Sequence, residues 1–149
     1  MSLRVLKIIE GTSVDGPGLR TSIYFAGCSH HCKGCHNPQS WDFESGEEMS
    51  VDQLMEIIQF NGFNVTFSGG DPFYQPVDEL SRLAEAVKNS GLTLWAYTGF
   101  TYDELHANKR YERLLSYIDT IVDGPFIEEL KDSSLLFRGS SNQRIINLR

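Results

Sequence analysis

Every cysteine of the chain falls between positions 28 and 35, as Cys28, Cys32 and Cys35 in a C-x3-C-x2-C spacing. Thiolates are soft ligands, suited to zinc or iron–sulfur clusters rather than to magnesium or calcium. Two assignments fit this segment. In the first, zinc takes the three thiolates and completes a tetrahedral site with His30, His31 or His36. In the second, a four-iron cluster takes the three thiolates and leaves one iron without a protein ligand. S-adenosylmethionine can fill that place through its amino and carboxylate groups, which sets its sulfonium beside the cluster. One electron from the reduced cluster then cleaves a carbon–sulfur bond to give a 5′-deoxyadenosyl radical. That chemistry belongs to the cofactor, while the protein supplies position and excludes water.

A second stretch bears on the choice. Gly69-Gly70-Asp71-Pro72 follows the apolar run that comes after the cysteines. Glycines let backbone carbonyls approach a ligand closely, and such carbonyls accept hydrogen bonds from an ammonium group. Asp71 adds a negative charge there. Ahead of the cysteines, Asp15-Gly16-Pro17-Gly18 is a rigid turn with open backbone.

These stretches need elements to carry them. Val5, Leu6, Ile8 and Ile9 suggest a short opening strand, and 19–26, with Ile23, Tyr24 and Phe25, reads as a buried one that ends at Gly27. After a polar stretch over 44–48, Ser50 and Gln53 form a capping box for a helix over about 51–61. A strand over 64–68 follows, then a helix opened by Gln75-Pro76 and ended by Gly91. The run 92–97 is the next strand, and Thr101 with Glu104 caps a helix to about 109, with further helical turns over 111–117. A strand over 118–122 ends at Asp123-Gly124-Pro125; 128–136 has helical character and 145–148 reads as a last strand.

Alternating strands and helices call for a parallel sheet with right-handed crossovers. Ligands of such sheets sit beyond the carboxyl ends of the strands. Gly27-Cys28, Ser68 to Asp71, Thr98-Gly99 and Asp123-Gly124 should therefore share one rim. A closed eight-stranded barrel takes about 250 residues, and this chain has 149. The expected fold is α/β, a partial TIM-like β/α barrel of about five parallel strands with helices outside, built as one domain over 1–149. Its open side suits a macromolecular substrate. On the rim, Thr98 and Asp123 either touch a cofactor or cap the next helix. Trp95 and Tyr97 are expected in the core; Arg138 and Arg144 either close over a ligand, dock a partner or lie in solvent.

Bulk properties narrow the classes. A net charge of −7 and 40% hydrophobic residues describe a globular protein that repels phosphate backbones and anionic membranes. No run spans a bilayer and no signal peptide opens the chain, and an odd number of clustered thiols is no disulfide framework. The expected location is the cytoplasm.

Taken together, the C-x3-C-x2-C segment and the Gly-Gly-Asp-Pro turn one strand later resemble the radical S-adenosylmethionine superfamily. Asp15-Gly16-Pro17-Gly18-Leu19-Arg20-Thr21 resembles its glycyl-radical-enzyme activases. Trp95 to Gly99, Asp123 to Phe126 and Arg138 to Arg144 are similar to those that act on the anaerobic ribonucleoside-triphosphate reductase. Two positions depart from the common pattern: Asp71 stands where Glu is frequent, and Gly34 where an aromatic residue often precedes the last cysteine. The resemblance implies that Cys28, Cys32 and Cys35 ligate a [4Fe-4S] cluster. It implies that Gly34, Cys35, His36, Gly69, Gly70 and Asp71 line the S-adenosylmethionine site. The implied reaction takes a hydrogen from a glycine of the partner reductase, with a flavodoxin-type protein as electron donor. A second activase class, acting on pyruvate formate-lyase, and a zinc-stabilised interaction domain are the alternatives.

Overall fold

A computed structural model describes residues 2–27 and 46–149. Within them, seven strands form one sheet: β1 (Leu3–Thr12), β2 (Arg20–Phe25), β3 (Glu47–Met49), β4 (Asn64–Gly69), β5 (Leu94–Tyr97), β6 (Thr120–Asp123) and β7 (Arg144–Asn147). Their order across the sheet is β3-β1-β2-β4-β5-β6-β7. Four of them, β2, β4, β5 and β6, run parallel, whereas β1, β3 and β7 are antiparallel to their neighbours. The opening strand is longer than its apolar core suggests, because β1 hairpins onto β2 through the Asp15–Gly18 turn.

Helices connect the parallel strands. α1 (Val51–Asn61) starts where the Ser50 Oγ accepts from the Gln53 N–H at 3.1 Å and the Gln53 Oε1 accepts from the Ser50 N–H at 2.8 Å. It stops at Gly62, whose φ of 71° is left-handed and open to glycine without strain. α2 (Val77–Asn89) follows Pro76, and α3 (Tyr102–Ala107) carries the Thr101–Glu104 capping box. α4 (Glu112–Leu115) is a single turn entered from a 3-10 turn over Lys109–Tyr111. The helical character expected over 128–136 is confined to a 3-10 turn at Glu128–Leu130.

Register divides the sheet into two unlike faces. On one, Ile23, Phe67, Ala96, Ile121 and Ile146 lie side by side. The apolar sides of α1, α2 and α4, through Leu54, Ile58, Leu80, Leu83, Val87 and Leu114, pack with that row in one core. On the other face the equivalent row is Ser22, Thr66, Trp95, Thr120 and Asn147. Ser22, Thr66 and Thr120 are buried even so.

Arg20 organises the lower part of this polar face. Only 3% exposed, it donates from Nε to Thr66 Oγ1 at 2.9 Å, from Nη1 to the Pro17 carbonyl at 3.1 Å and from Nη2 to the Val65 carbonyl at 2.9 Å. Its guanidinium also lies over the Trp95 ring, 5.9 Å from the centroid. Thr66 passes the connection on, donating to the Asp15 carbonyl at 2.7 Å. The turn over 15–18 is thereby strapped across the sheet. An ammonium at this position cannot serve the same divergent acceptors, which require a planar fork of five donors. Replacing Arg20 with Lys should cost about 3 kcal/mol by leaving buried acceptors unmet. Equilibrium urea unfolding of the two proteins under anaerobic conditions measures the difference.

Candidate functional site

Parallel direction places the carboxyl ends of β2, β4, β5 and β6 on one edge, and hydrogen bonds sew those ends together. The Gly70 N–H donates to the Phe25 carbonyl at 2.8 Å, and the Asp71 N–H to the Gly27 carbonyl at 2.9 Å. Gly27 is the residue immediately before Cys28. Gly69, with φ of 100°, leaves room for this contact: a Cβ there would meet the Phe25 nitrogen at 2.3 Å. No other residue fits at that approach.

Asp71 is the knot of the rim. Its side chain is fully buried. Oδ1 accepts from the Phe73 N–H at 3.0 Å, and Oδ2 accepts from the Thr98 hydroxyl at 2.9 Å and the Gly99 N–H at 2.8 Å. One carboxylate thus joins the end of β4 to the end of β5. Thr98 itself accepts from the Phe100 N–H at 3.1 Å, so this strand-end threonine both binds Asp71 and turns the chain toward α3.

The next tie joins β5 to β6. The Thr98 N–H donates to the Val122 carbonyl at 3.0 Å and the Gly124 N–H to the Phe100 carbonyl at 2.7 Å. Asp123, buried, accepts from the Tyr102 N–H at 2.6 Å and from Arg144 twice, at 3.0 Å from Nε and 2.5 Å from Nη2. Asp123 thus serves α3 and β7, the capping role among its expected roles, and Arg144 is paired with it rather than left to solvent. Arg138 donates to the Gln143 carbonyl at 3.0 Å.

Above Arg20, the polar face carries Tyr24 and Tyr97. The Tyr24 hydroxyl donates to the Asp15 carboxylate. Burial raises both phenols above their ordinary range, and the Asp15 charge pushes in the same direction. They are held protonated, as donors. The Ser22 hydroxyl, buried beside them in the sheet, has no hydrogen-bond partner among the described residues. Trp95 packs edge-on against Phe137 from the tail, ring centroids 5.4 Å apart, so this indole belongs to the polar face and not to the helical core.

Among the site residues expected from sequence, the structure brings Gly69, Gly70 and Asp71 to the rim and ties them to Gly27. Cys28, Cys32 and Cys35, together with Gly34, His36, His30 and His31, lie outside the described residues. Among the described residues no group of three or more His, Cys, Asp or Glu side chains could hold a metal. The three thiolates of 28–35 remain the soft donor set of the chain, one that fits an iron–sulfur cluster. Sequence reading did not single out Gln75, whose buried amide bonds the Ala26 carbonyl at 2.6 Å, nor the Asp15–Tyr24 pair. A glutamine before proline signals extended backbone and nothing about its amide.

The chain is similar to known proteins over most of its length. Residues 14–146 match the family described as a 4Fe-4S single cluster domain. The chain is 36% identical over 147 residues to the anaerobic ribonucleoside-triphosphate reductase-activating protein of Escherichia coli K12, covering 91% of this chain and 93% of that protein. Its counterpart in Haemophilus influenzae is 38% identical over 143 residues, covering 89% and 90%. The one from bacteriophage T4 is 33% identical over 139 residues, covering 89% and 86%.

Asp123 gives the rim a defined acid response. Burial works to raise its carboxyl, but the bonds from Arg144 and the Tyr102 N–H outweigh this and hold it below the ordinary carboxylate range. A carboxyl lowered by folding stabilises above its unfolded pKa, and that stabilisation is lost as pH falls through the folded value. Asp123→Asn should therefore cost about 2 kcal/mol at pH 7, discounted for the half-exposed Arg144. The gap between the two proteins should close as pH is lowered below about 4. Urea midpoints across pH 7 to 3 read both effects.

Proposed function

We propose, from the premise that the chain belongs to the family of anaerobic ribonucleoside-triphosphate reductase-activating proteins, that it is a radical S-adenosylmethionine activase that places a glycyl radical on that reductase. The observation that carries this reading is the 2.9 Å bond from the Asp71 N–H to the Gly27 carbonyl, which fastens the Gly-Gly-Asp turn to the residue before Cys28. Two stretches distant in sequence thereby meet at one rim.

In this reading Cys28, Cys32 and Cys35 hold a [4Fe-4S] cluster. When bound, the cluster would supply the electron for reductive cleavage of S-adenosylmethionine, the chemistry by which the α-hydrogen of one glycine in the reductase would be removed. Gly34, Cys35 and His36 meet the cofactor from the cysteine segment, and Gly69 and Gly70 meet its methionyl end. Asp71 serves by positioning: with its oxygens engaged by Phe73, Thr98 and Gly99, it fixes the turn that presents the two glycines. Tyr97 and the Ser22 hydroxyl, which has no partner among the described residues, give the polar face donors for the remainder of the cofactor. A flavodoxin-type protein supplies the electron.

The sheet is the wall of a partial TIM-like barrel. Supporting this are the order β2-β4-β5-β6, which follows the sequence without reversal, and the packing of α1, α2 and α4 against one face. Right-handed crossovers in unbroken succession wind a sheet this way, whereas a doubly wound sheet reverses and carries helices on both faces. The polar face is then the lumen. A core reaching from Leu3 to Leu148 supports one domain over 1–149. Thiolates that stay reduced suit the cytoplasm, and no helix among the described residues is long and apolar enough to cross a membrane.

Anaerobic reconstitution with iron and sulfide should give a brown protein with about four irons. Incubation with S-adenosylmethionine, a reductant and the anaerobic reductase should produce a glycyl radical by electron paramagnetic resonance, and Cys32→Ala should abolish it. A colourless protein with one tight zinc would refute the reading. A radical formed only with pyruvate formate-lyase would transfer it to that second class.

A further inference from the structure

Gln75 occupies a place in the sheet where a peptide group would normally stand. At the open end of the β1–β2 pair, the Ala26 N–H donates to the Arg4 carbonyl at 2.9 Å, one half of an ordinary antiparallel rung. The other half, Arg4 N–H to Ala26 carbonyl, is replaced by the side-chain amide of Gln75. Its Oε1 accepts from the Arg4 N–H at 2.8 Å and its Nε2 donates to the Ala26 carbonyl at 2.6 Å. Both ends of the amide are matched, so its orientation follows from the chemistry of its partners. The side chain is 1% exposed. A primary amide offers the donor and acceptor of a peptide unit, so at this rung one direct bond and the Gln75 amide together join Arg4 to Ala26.

The same spot is where the chain returns after residues 28–45. A Cβ on Gly46 would lie 2.8 Å from the Ala26 Cβ, 3.0 Å from the Val5 nitrogen and 3.1 Å from the Arg4 carbonyl carbon. Ala26 precedes the cysteine segment and Gly46 leads into β3, which pairs with β1, so these two positions press against one another beside Arg4 and Val5. The Gly-Gly-Asp rim bounds the same entry through the Asp71–Gly27 bond.

We infer that Gln75 and Gly46 form the neck of the cysteine-bearing segment, and that Gln75 is a positioning residue for cluster retention, acting through Ala26 and Gly27 rather than by touching the cluster. This rests on the cluster reading given above. Gln75→Glu is a near-isosteric probe: its carboxylate still accepts from the Arg4 N–H but sets an oxygen against the Ala26 carbonyl. Gly46→Ala forces the neck open from the opposite side. Val87→Ala, in the core at the far end of α2, is the control for general loss of stability.

Two readouts decide the matter on the full chain. In the iron-free proteins, amide hydrogen exchange at Arg4 and Ala26 should quicken in Gln75→Glu and Gly46→Ala more than in Val87→Ala. In the reconstituted proteins, iron loss to a chelator should quicken by about tenfold in both neck variants, the effect of losing a supporting partner around a metal site. Val87→Ala should release iron at the rate of the unsubstituted protein. If the neck variants release iron no faster than Val87→Ala, the inference is overturned while the cluster reading stands. If the unsubstituted protein takes up no iron–sulfur cluster, the cluster reading falls and this inference with it.

Discussion

A carboxyl group shut away from water must be met by hydrogen bonds, or its burial is strongly unfavourable. Asp71 is in that position, and the ends of three strands are arranged to satisfy it. The Phe73 and Gly99 amides and the Thr98 hydroxyl converge on its two oxygens, while its own N–H reaches Gly27. Each partner belongs to a segment that leaves the sheet at its carboxyl edge. Meeting the hydrogen-bonding demands of one buried carboxyl group therefore fixes the relative height and spacing of the loops after β2, β4 and β5. A site assembled from several loops needs that kind of precision, and loops alone do not provide it.

The two faces of the sheet divide the work of stability and function. Toward the helices the register rows are aliphatic and aromatic, and the core built there is continuous from β1 to β7. Toward the other side the same strands present Ser22, Thr66, Trp95 and Thr120. Those hydroxyls are buried, and burying them is favourable only where partners exist. Arg20 and the Asp15 carbonyl meet that of Thr66, and Asn147 meets that of Thr120. Ser22 has no partner among the described residues, which leaves its hydroxyl on the polar face as an unmatched donor and acceptor there.

Much of this is legible in the amino-acid sequence alone. Capping boxes at Ser50 and Thr101 and the stop at Gly62 located α1 and α3 because those signals are local: a side chain bonds a backbone group three residues away. The strand ends were legible for the same reason, since glycine and proline punctuate the apolar runs. Strand direction at the sheet's edges was not. β1 reads as a few apolar residues, yet it extends to Thr12 because β2 supplies ladder partners along its length, with β3 on the other side only at Leu3–Val5. β3, Glu-Glu-Met, carries no apolar alternation and exists only as an addition to β1. Gln75 and Arg20 escaped notice as determinants of the site because their partners are distant in sequence.

Where regular ladders end, the protein repeats one solution, which is to let a side-chain amide stand in for a peptide group. Gln75 does so between Arg4 and Ala26. In the tail, Gln143 accepts from the Gly139 and Ser140 N–H groups at 2.9 and 3.1 Å and donates to the Gly124 carbonyl at 3.0 Å, and Asn142 donates to the Pro125 carbonyl at 2.8 Å. These amides bind the tail to the end of β6, and through it Phe137 reaches Trp95 on the polar face. The choice has a physical logic. Charged groups in those places would need burial with a partner, and a regular strand would leave no loop to shape around a ligand. An amide is neutral, offers both donor and acceptor, and can be carried by a segment that is otherwise irregular. The Arg138 to Arg144 and Gln75-Pro76 stretches thus share a task, holding irregular backbone still at the margins of the rim from which the cysteine segment departs.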